Sequence, residues 1–339
     1  IRDSMARANK SPSEAARLQE LVAEALSRLA ADMCAEVDAD PAEIIEAAVV
    51  GNTAMHHLFL RLPVAQLARA PYVPAIKSAL DLKARELGLG IAPGGYVHLL
   101  PNIAGYVGAD HVAMLLATGA AQAEGVVLAL DIGTNTEICL GDEGKLTSLS
   151  CASGPAFEGA HITHGMRAAQ GAIEHVRLVD GRIEYQTIGG APPAGVCGSG
   201  ILDCLAQLYQ AGVVDTRGHM GQHPRTRDSD GGREFVLVGE DEQEAGRPAI
   251  TFTQKDVREL QLAKGAMRTG INVLLETSGV AAGDIDQVII AGAFGTYIDV
   301  SSAIAIGMLP DLPLDRFRQV GNAAGMGAKM ALISRSKRC

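Results

Sequence analysis

The chain contains no tryptophan, and aromatic residues of any kind make up only 4% of its 339 positions. A core built from it must be aliphatic, with helices packed closely on sheets through Ala and Gly. Long apolar runs are missing too. No segment reaches the roughly 18 unbroken apolar residues of a membrane span, and IRDSMARANK at the start has no apolar signal core, so a soluble protein with no membrane partner is expected. Basic charge is short: 29 Lys and Arg stand against 39 Asp and Glu, a formal charge of −10. That balance argues against a nucleic-acid partner, which needs a basic face. A nucleotide, which needs only a local pocket of donors, stays compatible. The six cysteines, Cys34, Cys139, Cys151, Cys197, Cys204 and Cys339, include no C-x2-C pair of the kind that holds zinc or an iron–sulfur cluster. They read as small buried hydrophobes of a reducing cytoplasm, with Cys339 exposed in a tail.

Against these absences one segment carries a strong signal. Residues 126–138, VVLALDIGTNTEI, are an apolar run ending on Asp131 and breaking into Gly133, Thr134, Asn135 and Thr136. The run reads as a buried strand. Gly133 would let the backbone pass close to a phosphate, whose oxygens the hydroxyls and N–H groups could meet. Asp131 falls at the carboxyl end of the strand, where open α/β sheets place their ligand chemistry, and suits a hydrated Mg²⁺. An ordinary tight hairpin is the plain alternative.

Along the chain, SPSE (residues 11–14) is a capping box with Pro12 at the first helical position, opening a helix to about Glu36. A strand near residues 47–50, a Gly51-Asn52-Thr53 turn and a helix follow. Pro63, Pro71 and Pro74 punctuate a stretch, about 62–95, that looks like an insertion. Strand YVHLL (96–100) then leads into a helix ending near Gly119. The spacing divides the chain into a first domain, 1–125, a second, 126–333, and a tail, 334–339. Within the second domain residues 216–248 are polar and rich in charge and Gly, which suggests an exposed excursion ending in one strand, EFVLVG. Strands followed by helices, repeated, mean α/β layers.

Three further turns could serve one site. GVCGSG (195–200) presents Gly198, Ser199 and Gly200 at a helix start, an anion site or simply close packing. IIAGAFGTYID (289–299) sets Gly292, Ala293, Phe294 and Gly295 after an apolar strand, a turn on which a ring or ribose can lie. In QLAKGAMRTG, Gln261, Lys264, Gly265 and Arg268 share one helix face, although a helical Lys is more commonly solvated.

In this order the motifs resemble the superfamily of acetate and sugar kinases, heat-shock chaperones and actin. More closely, VVGNTAMHHL, CASGPAFEGAHI, GVCGSGILD, LQLAKGAMRTGI and AGAFGTYID are similar to the large C-terminal domain of ATP-dependent reductive activators of corrinoid proteins, over residues 40–332. The resemblance implies an actin-like ATPase fold of two ribonuclease-H-like domains around Mg-ATP. It makes residues 131–136 the second phosphate motif and residues 289–295 the adenosine motif. Residues 105–109 and 321–325 become the two connecting helices, and Gln261 and Lys264 contacts to adenosine and ribose. Asp131 would hold Mg²⁺ through water. Glu158, or Glu137, would orient the attacking water, although either could be an ordinary acid at a helix start or on a strand face.

Two family features are missing. There is no first phosphate motif, a D-x-G-T-T hairpin before the first long helix, so the first domain is expected to lack its opening strands. There is no ferredoxin-like domain with its four-Cys 2Fe–2S site. The chain therefore reads as a piece of a longer protein, because a half-sheet without its first hairpin would expose edge and core. The implied role is ATP binding and docking to a corrinoid protein of a methyltransferase system, whose cobalt(II) is returned to cobalt(I) by an electron from the iron–sulfur domain. A homodimer is left open. A small-molecule kinase of actin-like fold and a non-hydrolysing nucleotide-dependent scaffold are the alternatives.

Overall fold

The computed structural model describes residues 2–243, 246–292 and 294–338. The chain forms two compact units, Ile1–Gln122 together with Asn322–Cys339, and Ala123–Gly321.

The first unit opens with helices α1 (Arg2–Ala8) and α2 (Pro12–Glu36). Ser11 starts α2 by accepting the Glu14 N–H at 3.3 Å, with Pro12 inside the first turn, where a missing N–H costs nothing. Then come β1 (Glu46–Val49), α3 (Thr53–Phe59), β2 (Leu80–Lys83), β3 (Tyr96–Leu99) and α4 (Ala109–Thr118). Asn52 caps α3 through the Met55 N–H at 2.9 Å, and Gly119, at φ +69°, ends α4. Strand β3 is central, parallel to β1 and antiparallel to β2. Val97 and Leu99 of β3 are fully buried with Ala23, Phe59 and Leu87. Strand β2 lies inside the stretch that composition marks as an insertion. Its ladder to β3 makes it part of this unit's own sheet.

The second unit is built on β4 (Val126–Ile132), β5 (Thr136–Asp142) and β6 (Lys145–Cys151), an antiparallel meander. A hairpin follows, β7 (Ala172–Val179) and β8 (Arg182–Thr187), with the short β9 (Gly195–Val196) beside β7 and helix α5 (Gly198–Gln210) packed on it. Next are β10 (Thr226–Ser229), β11 (Gly232–Val238) and β12 (Ile250–Thr253), helix α6 (Gln254–Ser278), β13 (Ile285–Ala291), α7 (Val300–Ala305) and β14 (Phe317–Gly321). The main sheet runs β14-β13-β4-β5-β6, with β14, β13 and β4 parallel. Consecutive residues Val127, Leu128, Ala129 and Leu130 are all at most 2% exposed, so β4 is covered on both faces. Full burial of each Leu contributes about 1.5–3 kcal/mol. Helix α6 starts on a reciprocal cap: Thr253 Oγ1 accepts the Asp256 N–H at 3.2 Å and Asp256 accepts the Thr253 N–H at 2.8 Å. It lies close on the sheet because Gly270 has no Cβ, which would stand 2.4 Å from Cys151 Sγ.

Residues 216–248 are not an exposed excursion with a single strand. They supply β10 and β11, which pair with β12 in a three-stranded antiparallel sheet. Phe235 faces Phe252 across its ladder, both at most 1% exposed. The strand EFVLVG is legible in the sequence, but its partner β10, TRDS, is polar and largely exposed and carries no apolar alternation to mark it.

Helix α8 (Ala323–Ile333) completes the first unit by packing on α4. Packing thus groups this helix with residues 1–122, whereas the chain-order division into 1–125, 126–333 and 334–339 sets it in the second domain. Cys34, Cys139, Cys197 and Cys204 are buried and Cys151 is half-buried, all unbridged; Cys339 lies outside the described residues. Among the described residues no helix is long and apolar enough to cross a membrane.

Candidate functional site

Strands β4 and β13 run parallel and end at the same edge of the sheet, with Asp131 opposite Ala291 in register. The chain leaves β4 through residues 133–135 and leaves β13 through Gly292. Gly292 packs against the end of β4: a Cβ on it would lie 2.4 Å from the Ile132 carbonyl oxygen and 3.0 Å from Asp131 Oδ1. Gly292 stands at φ +96° and donates its N–H to the Gly321 carbonyl at 2.9 Å. Only glycine fits both the angle and the space.

Gly133 and Thr134 are exposed, while Thr136 and Glu137 behind them are buried. The Gly133 N–H closes the turn onto the Asn135 carbonyl at 3.2 Å. Among the described residues no protein acceptor meets the N–H of Thr134 or of Asn135. A turn after a strand that presents backbone donors is suited to an anion. Thr134 Oγ1 donates to Glu158 Oε1, which places the exposed carboxylate of the PAFEG turn beside the 133–135 turn. Glu137 sits directly across from Asp131 in the β4–β5 ladder, is 8% exposed and accepts from the Ser150 hydroxyl at 3.0 Å. That bond holds it to β6, in keeping with a strand-face acid.

Phe294 and Gly295 follow Gly292 in the chain. Phe294 stacks on Phe157 with ring centroids 4.8 Å apart and planes at 23°. Both press on α5: a Cβ on Gly198 would meet the Phe157 carbonyl oxygen at 2.1 Å and the Phe294 ring at 2.7 Å. One on Gly200 would meet the Ile173 carbonyl oxygen at 2.3 Å. With Ser199 only 5% exposed between them, close packing accounts for these glycines. Gly295 likewise has the Ala291 carbonyl oxygen 2.4 Å from where its Cβ would stand. Ala293 lies outside the described residues.

Gln261 and Lys264 are each held by a main-chain carbonyl. The Lys264 ammonium donates to the Ile306 carbonyl, and Gln261 Nε2 donates to the Arg217 carbonyl at 3.2 Å. They line a cavity of about 190 Å³ with Tyr209, Asp215 and Gly307, a wall to which Gly292, Phe294 and Gly295 do not belong. Burial lowers the Lys264 pKa below the ordinary lysine value. A larger cavity, about 650 Å³, opens between the β7–β8 hairpin, α5 and the start of α7. There Asp203 accepts from His175 Nδ1 at 3.1 Å and from the Ser302 hydroxyl at 3.0 Å, and its carboxyl is pushed up by burial. Residues 131–136 are not part of this cavity's lining.

One site residue was not singled out in the sequence. Ser153, 5% exposed, pairs its hydroxyl with that of Thr136 at 2.7 Å and donates to the Gly133 carbonyl at 3.3 Å. It lies in the CASGPAFEGAHI motif, but nothing in the motif says that its hydroxyl sits beneath the loop.

Comparison with known proteins agrees with this architecture. Residues 125–339 match the family model described as the C-terminal domain of RACo, the ASKHA domain, and residues 3–123 match the RACo middle region. The chain is 39% identical to the corrinoid activation enzyme RamQ of Eubacterium limosum, over 97% of this chain and 57% of that protein. It is 27% identical to the [Co(II) methylated amine-specific corrinoid protein] reductase of Methanosarcina barkeri, over 70% of this chain and 44% of that protein. A solved structure of a reductive activator for corrinoid, iron–sulfur protein superposes with a TM-score of 0.87 at 39% identity, over 98% of this chain and 54% of the other. The chain spans about half the length of these relatives. It belongs to the RACo family, and carries that family's middle region followed by its C-terminal ASKHA domain.

Proposed function

We propose that this chain is the ATP-binding and partner-docking part of an ATP-dependent reductive activator, one that returns a corrinoid protein from cobalt(II) to cobalt(I). The relatives named for corrinoid activation and for reduction of a methylamine-specific corrinoid protein support the partner class. In this reading the electron comes from an iron–sulfur domain outside the sequence described, and Mg-ATP supplies the free energy. A nucleotide shifts a two-state protein only by its unequal affinity for the two states, so coupling acts through conformation.

The observation that carries the reading is the close approach at one sheet edge of the end of β4, Asp131 and Ile132, to Gly292, with the 133–135 turn next in the chain. Three antiparallel strands followed by two parallel ones support a ribonuclease-H-like second unit. The residues present fit a triphosphate: backbone donors at Thr134 and Asn135 with no acceptor among the described residues, and Asp131 at the strand end. Asp131 would hold Mg²⁺ through water, which suits an ion that keeps several waters and takes one or two carboxylates plus phosphate oxygens. Among the described residues no three His, Cys, Asp or Glu side chains gather as a metal cage. Glu158, beside Thr134, would orient the attacking water.

The test uses the full-length protein. ATP turnover is measured with and without the corrinoid protein, and cobalt reduction is followed by its absorbance. Asp131→Asn is expected to abolish both while the melting temperature holds. Turnover within a few-fold of the parent would overturn the phosphate reading of residues 131–136. Turnover raised by a sugar or an organic acid, and not by the corrinoid protein, would point to a small-molecule kinase instead.

A further inference from the structure

One short segment after β6 grips the phosphate loop from beneath, and its bonds form a set. The Ser153 hydroxyl takes up the Thr136 hydroxyl at 2.7 Å and reaches the Gly133 carbonyl at 3.3 Å. The Gly154 N–H donates to the Thr134 carbonyl at 2.9 Å. Thr134 in turn donates from its hydroxyl to Glu158, four residues further along the same segment. The loop is thus held at Gly133, at Thr134 and at Thr136, and the carbonyls at its two exposed positions are drawn inward. With the carbonyls turned in, the N–H groups of Thr134 and Asn135 are left facing outward, without acceptors among the described residues. Gly154 stands at φ +76°, an angle that glycine adopts without strain.

From this geometry we infer that Ser153 is a positioning residue for phosphate binding: its buried hydroxyl sets the loop so that the Thr134 and Asn135 N–H groups point at the nucleotide. The inference rests on the phosphate reading of residues 131–136 given above. Ser153 acts through the loop and touches no ligand itself. A hydroxyl is needed because the position must receive a proton from Thr136 and give one to the Gly133 carbonyl, which neither alanine nor a pure acceptor can do. A buried polar pair at this place would also serve stability, and the two roles differ in what they move.

The experiment measures the ATP concentration for half-saturation, kcat and melting temperature on full-length Ser153→Ala, Ser153→Thr and Gly154→Ala, beside Asp131→Asn. Ser153→Ala is expected to raise the half-saturating ATP concentration at least ten-fold, and Ser153→Thr to bring it back to within about three-fold of the parent. Gly154→Ala should raise it as well, and serves if Ser153→Ala fails to fold. Half-saturation and kcat unchanged in Ser153→Ala, with Asp131→Asn inactive, would overturn the inference and leave the phosphate site standing. An active Asp131→Asn protein would remove the site itself, and the role of Ser153 with it. Lower melting temperature with unchanged half-saturation would make Ser153 a structural residue only, which also overturns the inference.

Discussion

The Lys264 ammonium donates to the main-chain carbonyl of Ile306, the residue that follows α7. A lysine that sequence resemblance assigns to a nucleotide is therefore held by protein, half-buried, with its charge disfavoured by lost hydration. Removing it leaves a carbonyl without a charged donor. Lys264→Ala is expected to cost about 1–2 kcal/mol of stability in chemical denaturation. ATP affinity should fall no further than that loss accounts for. A large fall in affinity at unchanged stability would return the ammonium to the nucleotide.

Gly292→Ala is expected to destabilise the second unit by more than about 1 kcal/mol, because φ +96° and the Ile132 carbonyl both oppose a Cβ. Gly198→Ala should do the same by driving a methyl group into the Phe157 carbonyl and the Phe294 ring. Thermal melts of both variants check this. A Gly198→Ala protein that melts like the parent but binds ATP weakly would mean that the α5 start meets the nucleotide after all.

Acid should weaken the first unit. His56 is 4% exposed with neither ring nitrogen hydrogen-bonded among the described residues, and burial lowers its pKa to about 4; burial lowers that of His111 to about 4 as well. Unfolded histidines titrate near 6.5. Between about pH 6.5 and 4 the unfolded chain therefore binds more protons than the folded one, and stability falls as pH falls. By pH 4 the loss is about 3 kcal/mol per histidine. Hydrogen exchange over residues 53–59 between pH 7 and 4.5 should show the decline, and His56→Leu should flatten it. An unchanged slope in that variant would exclude His56 as a source.

Helices α4 and α8 approach so closely that a Cβ on Gly327 would stand 1.9 Å from the Ala113 carbonyl oxygen. Gly327→Ala is expected to force them apart at a cost of about 1–3 kcal/mol. A melting temperature equal to that of the parent would mean that the pair slides without loss.

The chain's own pattern determined whatever rests on neighbours in sequence. The apolar run before Asp131 makes a strand buried on both faces, and its end sets Asp131 at the sheet edge. Ser11 with Pro12, Asn52 and Thr253 start helices because a side-chain oxygen meets the N–H three residues on, a contact within reach of local spacing. Tertiary structure decided the rest. Ser153 and Thr136 are 17 residues apart and meet only because the β5–β6 hairpin folds back on itself. Lys264 finds Ile306 across 42 residues, and α8 returns across the whole second unit to pack on α4. Residues 226–253 became a sheet through Phe235 against Phe252, a cross-strand burial that outweighs the polar composition around it. Periodicity and capping carry information over a few residues. Which distant donor reaches which acceptor is set by packing, where a buried polar group must find a partner or cost free energy.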